Sequence, residues 1–179
     1  MKHFNKFKHF LILLVAVVAG YMPASAQLAG GVYTVGGTSP NYATITAAVS
    51  AMSAGITGPV TFNIRPGTYA TPVALTAITG ASATNRVVFQ AESGKGTVTI
   101  SAAGPSTPHN YVFRFSSANY ITLRNLTLSN TGTTYGAAVD FVGTSSNDSV
   151  VGCLLTGSTG TSTSQYKSRV YANGHTGTD

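Results

Sequence analysis

Few side chains in this chain are suited to chemistry. Four of its 179 residues are acidic, Glu92, Asp140, Asp148 and Asp179, and they are spread along the length rather than clustered. Asp140 has the most suggestive setting, between apolar neighbours in "AVDFVG" (138–143), a segment that reads as a β-strand. A strand carboxylate facing outward is placed to act on a sugar. Glycoside hydrolysis, however, needs two or three carboxylates at one site, and calcium-dependent lyases need several acidic ligands. His109 and His175 stand in loop-like stretches without ligand spacing, so neither a metal nor a cofactor is expected. Cys153 is the one cysteine, which leaves no internal disulfide. It has no histidine in register to activate it, and a buried structural thiol between Val151 and Leu155 is expected. "GKGT" (94–97) lacks the spacing of a phosphate loop and reads as a tight turn.

The N-terminus stands apart from the rest. "MKHFNKFKHF" supplies Lys2, Lys6 and Lys8, "LILLVAVVAG" is a short apolar run, and Ala24, Ser25 and Ala26 are small residues of the kind a signal peptidase cuts after. This is the layout of a secretory signal over 1–26, too short in its apolar run to span a bilayer, with the mature chain starting near Gln27. Secretion or display at the cell surface is the expected destination. Three of the lysines behind the formal charge of +6 go with the signal. The remaining cations (Arg65, Arg86, Lys95, Arg114, Arg124, Lys167, Arg169) form no run, and nucleic-acid binding requires one. Charged residues make up only 8% of the chain, which suits an extracellular all-β protein.

Any such site must be positioned by the elements of 27–179. "SPNYATITAAVSAMSAG" reads as a helix over 42–53, with Ser39 or Asn41 as cap, Tyr42, Ile45, Val49 and Met52 on one face, and Gly55 as the stop. After Gly58 the chain reads as short strands separated by turns. "VTFNI" (60–64), "VVFQA" (87–91), "YVFRF" (111–115) and "VDFVG" (139–143) share an apolar-x-Phe pattern and place Phe62, Phe89, Phe113 and Phe141 in one rank. A second element follows each of the last two, which aligns Asn119 with Asn147, Leu123 with Val151, Asn125 with Cys153 and Leu126 with Leu154. Repeats of this length bury their apolar side chains by stacking coil on coil. Alternation turns Val60, Phe62, Ile64, Val139 and Phe141 inward, and Thr61, Asn63, Gln90, Arg114 and Asp140 outward. Stacked coils lie about 4.8 Å apart, so Arg114 and Asp140 are expected to form a surface ion pair worth under about 1 kcal/mol. Asn125 marks a bend where an asparagine ladder could start. Thr97 and Thr99 share a face, but this register sets them against Ile121 and Leu123, so no rank of threonines is expected.

The run from "NYATITAAVSAM" through "GPVTFNIRPGTYATPVAL" resembles the opening of right-handed parallel β-helix proteins of the pectin-lyase-like superfamily, closest to secreted bacterial repeat proteins and more distant from pectinesterases. The resemblance spans roughly Tyr33 to Thr161. It implies an all-β solenoid of about five coils whose helix caps the N-terminal end. "VDFVG" is similar to the pectinesterase element whose Asp is the nucleophile, which makes Asp140, Arg114 and Gln90 the candidate site residues. The element that carries that family's second Asp is missing, and Arg114 precedes Asp140 where the family's Arg follows its nucleophile. The expectation is therefore a non-catalytic structural, adhesive or carbohydrate-contacting module. Its Thr, Ser, Asn and Gln faces, with Tyr111, Tyr120 and Tyr135, would meet polysaccharide or surface glycans. The alternative is a pectin-active esterase or lyase. "SQYKSRVYANGHTGTD" (164–179) reads as the approach to another coil, which leaves further coils or self-association at that end open.

Overall fold

The computed structural model describes residues 26–103, 110–133, 136–158 and 168–173. Residues 1–25, where a signal segment is expected, and His109, Tyr135, His175 and Asp179 lie outside the described residues.

Within them the chain is a parallel β-solenoid. Short strands whose side chains alternate in and out can satisfy their backbone groups only by pairing with the coil above and below, and all pairing here is parallel. The strands are β1 (Gly31–Val35), β2 (Val60–Ile64), β3 (Gly67–Tyr69), β4 (Val73–Leu75), β5 (Val87–Ala91), β6 (Val98–Ala102), β7 (Tyr111–Ser116), β8 (Ile121–Arg124), β9 (Thr127–Asn130), β10 (Ala137–Val142), β11 (Ser149–Val151), β12 (Leu154–Thr156) and β13 (Val170–Asn173). They stack into three sheets. Sheet 1 has the order β1-β2-β5-β8-β11, sheet 2 the order β3-β6-β9-β12, and sheet 3 the order β4-β7-β10-β13. Each turn of the solenoid takes one strand from each sheet. There are four such turns, one fewer than the sequence suggested.

The core is a set of inward ranks, but not the single phenylalanine ladder expected. Phe62 and Phe89 are register partners in sheet 1, with rings stacked at 4.9 Å. The next residue in that rank is Leu123. Phe113 belongs to sheet 3, where its partners are Val73 and Val139, and Phe141 stacks on Phe115 at 4.6 Å instead. The physical reason is that alternation is the same on every sheet, so apolar-x-Phe does not say which side of the coil a strand occupies. Coil length varies as well. Val60 pairs with Val87, 27 residues on, whereas Val87 pairs with Ile121, 34 residues on.

The second alignment also shifts by one residue. Leu123 pairs with Val150, not Val151, and Leu154 pairs with Thr127, not Leu126. A one-residue slip exchanges the two faces of a strand. The corrected register places Asn125 (φ 58°) level with Gly152 (φ 65°), both left-handed, at the corner between sheets 1 and 2. No asparagine ladder grows from Asn125. An asparagine pair forms at the corner between sheets 2 and 3 instead, where buried Asn130 donates to Asn110 Oδ1 (3.1 Å) and to the Ala137 carbonyl (3.0 Å).

Helix α1 (Ile45–Ala51) is shorter than 42–53 and is capped by Thr44, whose Oγ1 accepts from the Ala47 N–H at 3.0 Å. Asn41 is engaged elsewhere, accepting from the Thr34 N–H at 2.8 Å. Ile45, Ala48 and Met52 are buried in the same core as the strands, and α1 lies against β4, the edge strand of sheet 3. The last turn has no described strand beyond it. Val170 is 47% exposed although its rank partner Val139 is fully buried.

Candidate functional site

Each of the three sheets turns one face outward, and the three faces differ in chemistry. On sheet 3, alternation sets Ala74, Arg114, Asp140 and Tyr171 in one outward rank. Arg114 Nε donates to Asp140 Oδ2 at 2.7 Å, and its guanidinium lies 3.9 Å from the Tyr111 ring centroid. Asp140 is not the surface residue anticipated, being only 2% exposed, with Val112 and Ala138 beside it fully buried. The outward side of β7 and β10 is therefore covered around Val112, Ala138 and Asp140, while the Arg114 side chain keeps 21% exposure. Asp140 Oδ1 is buried and takes no hydrogen bond.

Gln90 lies on sheet 1, where it pairs with Arg124 and its Nε2 donates to Asn63 Oδ1 at 2.8 Å. The structure thus brings Arg114 and Asp140 together and leaves Gln90 on a different side of the coil. Glu92 is 3.7 Å from Arg65, and Asp148 belongs to the corner between sheets 3 and 1. Among the described residues no three His, Cys, Asp or Glu side chains converge as a metal site would require. Cys153 is half-buried against the core, as Leu155 is, while Val151 points outward at 50% exposure. Burial pushes the Cys153 thiol pKa up, so the thiolate is scarce at neutral pH.

Sheet 2 overturns the expectation about threonines. Thr68, Thr99 and Thr127 are direct register partners on three successive strands, and Ser101 and Ser129 pair two residues further along, with Thr156 next. Thr99 meets Thr127 because β6 pairs with β9, whereas the sequence register had set it against the strand now seen as β8 in sheet 1. The two ranks are about 4.8 Å apart from strand to strand and about 6.7 Å apart along each strand. None of these six hydroxyls bonds to a described protein group, and β3, β6, β9 and β12 carry no charged side chain.

At the corner between sheets 3 and 1, β7 leads into β8 and β10 into β11 by turns of the same shape. Ser117 and Gly143 take positive φ (52° and 69°), and Tyr120 and Asn147 do so again (63° and 58°). The turns are tied together by Ser146 Oγ donating to Asn119 Oδ1 at 2.6 Å and by the Ile121 N–H donating to Asp148 Oδ1 at 2.8 Å. Burial raises the Asp148 pKa to about 6, against the lowering influence of that hydrogen bond and of Arg86. Arg86 donates to the Asn147 carbonyl at 2.6 Å and lies 5.9 Å from the Tyr120 ring centroid. Beside these turns is a cleft of about 250 Å³, lined by Ala77, Ile78, Ala81, Asn119, Tyr120, Ser146 and Asn147. Of its polar residues the sequence singled out Tyr120 and aligned Asn119 with Asn147, whereas the fold sets Asn119 against Ser146.

No family model, curated protein or solved structure matches the chain.

Proposed function

We propose that this chain is a non-catalytic β-solenoid module of a secreted or surface-displayed protein, of the pectin-lyase-like kind, that contacts glycans. The observation that carries the reading is the outward face of sheet 2. Six hydroxyls in two ranks, bonded to no described group and set on strands without charged side chains, offer donors and acceptors at a regular spacing to an extended hydroxylated polymer. Sheet 1 is less suited, because Gln90 and Asn63 are bonded to each other and its outward side also carries exposed Val32, Val151 and Arg124.

The test is retention on a panel of insoluble and soluble polysaccharides. The wild-type chain is retained, and Thr99→Lys/Ser129→Lys, which places two diagonal charges on the face, is not. Absence of retention on every polysaccharide removes the carbohydrate part of the reading.

The rival is a pectin-active esterase centred on Asp140, favoured by the Arg114 contact and by the partnerless Oδ1. Against it stand the burial of Asp140 and the distance in the fold of Gln90, on another sheet. Methanol released from methylated pectin by the wild type, and not by Asp140→Asn, would decide for the rival.

A further inference from the structure

The corner cleft combines features that the hydroxyl face of sheet 2 lacks. Its lining is amphipathic. Ala77, Ile78 and Ala81 supply an apolar side, Tyr120 an aromatic ring, and Asn119, Ser146 and Asn147 a polar edge. That edge has spare capacity. Asn119 uses Nδ2 on the Ser117 carbonyl and Oδ1 on Ser146, and Asn147 uses only Nδ2, on Ser146 Oγ. An amide side chain can make about four hydrogen bonds, so both have bonds left to give. The Tyr120 hydroxyl bonds to no described group. The cleft is smaller than the pockets that take drug-sized ligands and has room for no more than a single ring.

The backbone points the same way. Tyr120 holds φ at 63°, a conformation that is unfavourable for a bulky side chain, and the equivalent position one coil on is filled by Asn147, which tolerates it well. Building the corner requires only the Asn solution. The aromatic ring at this position lines the cleft and has Arg86 5.9 Å from its centroid.

Charge selects the ligand. No lining residue is an acid or a base of the Asp, Glu, His, Lys or Arg type, and the two charged neighbours, Arg86 and Asp148, are of opposite sign. We infer that the cleft is a subsite for one neutral pyranose ring of a glycan, its C–H face against Tyr120 and its hydroxyl edge against Asn119, Ser146 and Asn147. A pyranose has that division into an apolar face and a polar rim, and aromatic side chains with a polar tip suit such half-wet sites. The inference rests on the reading of the chain as a glycan-contacting module.

The experiment is calorimetric titration with short neutral oligosaccharides and with uronic-acid oligomers of equal length. It compares the wild type, Tyr120→Asn, and the sheet 2 variant Thr99→Lys/Ser129→Lys. Tyr120→Asn copies the residue of the next coil, so its backbone remains allowed and its folding is checked by an unchanged or raised Tm. The expected result is neutral-oligosaccharide binding that falls at least tenfold in Tyr120→Asn and persists in the sheet 2 variant. Equal binding by Tyr120→Asn and wild type, or preference for the uronic oligomers, overturns the subsite. Binding lost only in the sheet 2 variant overturns the subsite and leaves the glycan-contacting module standing. No binding by the wild type to any oligosaccharide or polysaccharide overturns both.

Discussion

Arg114 and Asp140 are register partners on β7 and β10, joined at 2.7 Å, and the two are unequally buried: the carboxylate side chain is 2% exposed and the guanidinium side chain 21%. The asymmetry changes what the pair is worth. An exposed pair contributes under about 1 kcal/mol, but removing the partner of a buried charge costs about 3–5 kcal/mol. Arg114→Ala strands the Asp140 carboxylate and is expected to lower stability by about 3 kcal/mol. Asp140→Asn leaves an arginine that can reach water and is expected to cost clearly less. Urea unfolding of both variants checks the order, and equal small losses would mean that the pair is solvated.

Asp148 should produce a pH slope of unusual sign. Its folded pKa of about 6 lies above the usual carboxylate value of 3.8, because burial disfavours the charge. Between those values the folded chain holds a proton that the unfolded chain has lost, so this contribution to stability falls as pH rises from about 4 to about 6. Solvent screens this half-exposed site, and the effect is expected to be about 1 kcal/mol or less. Asp148→Asn keeps an oxygen for the Ile121 N–H and should flatten the slope. A Tm series for both proteins across that range measures the difference, and identical slopes would refute it.

Asn130 is buried and makes three hydrogen bonds, two donated to Asn110 Oδ1 and the Ala137 carbonyl and one accepted from the Gly132 N–H at 2.8 Å. Asn130→Ala leaves these groups to find other partners in a buried corner. The expected loss is about 3 kcal/mol, well above that of an exposed asparagine such as Asn147→Ala. Chemical denaturation of both variants decides whether this corner holds the coils in place.

Cys153 should behave as a hindered thiol. Half-buried and with its pKa raised by burial, it is expected to react slowly with a disulfide reagent at pH 7 and quickly once the chain is unfolded. Equal rates in native and denaturing buffer would contradict its placement against the core.

The exported protein is expected to begin at Gln27. Intact mass measured on material recovered outside the cells reads this directly, and a mass that retains the lysine-rich segment would remove the signal from the reading.

The solenoid was legible in the sequence because a two-residue alternation, recurring at turn-bounded intervals, is a local property that any single strand displays. Val60, Phe62 and Ile64 turn inward as that alternation requires, and all three are fully buried. The helix was legible in its core, at Ile45, but its cap was not. Ser39, Asn41 and Thr44 are all capable caps, and only the engagement of Asn41 with Thr34 in the fold separates them.

Which strands stack was not legible, because it depends on how many residues each corner consumes. The 34 residues from Val87 to Ile121, against 27 from Val60 to Val87, moved Phe113 out of the Phe62 and Phe89 rank, and a one-residue difference at the next coil moved Val151 to the outer face. The same uncertainty hid the Thr68, Thr99 and Thr127 rank and the cleft at Tyr120, both made of residues that meet only across coils. By itself the sequence determined that this chain is built of repeating, half-buried strands, since that follows from side-chain alternation and needs no partner, whereas parallel pairing was what the family resemblance implied. Only the tertiary structure decided which residues face each other, since the register of a solenoid is set by its loops, and loop length says nothing until the coil closes.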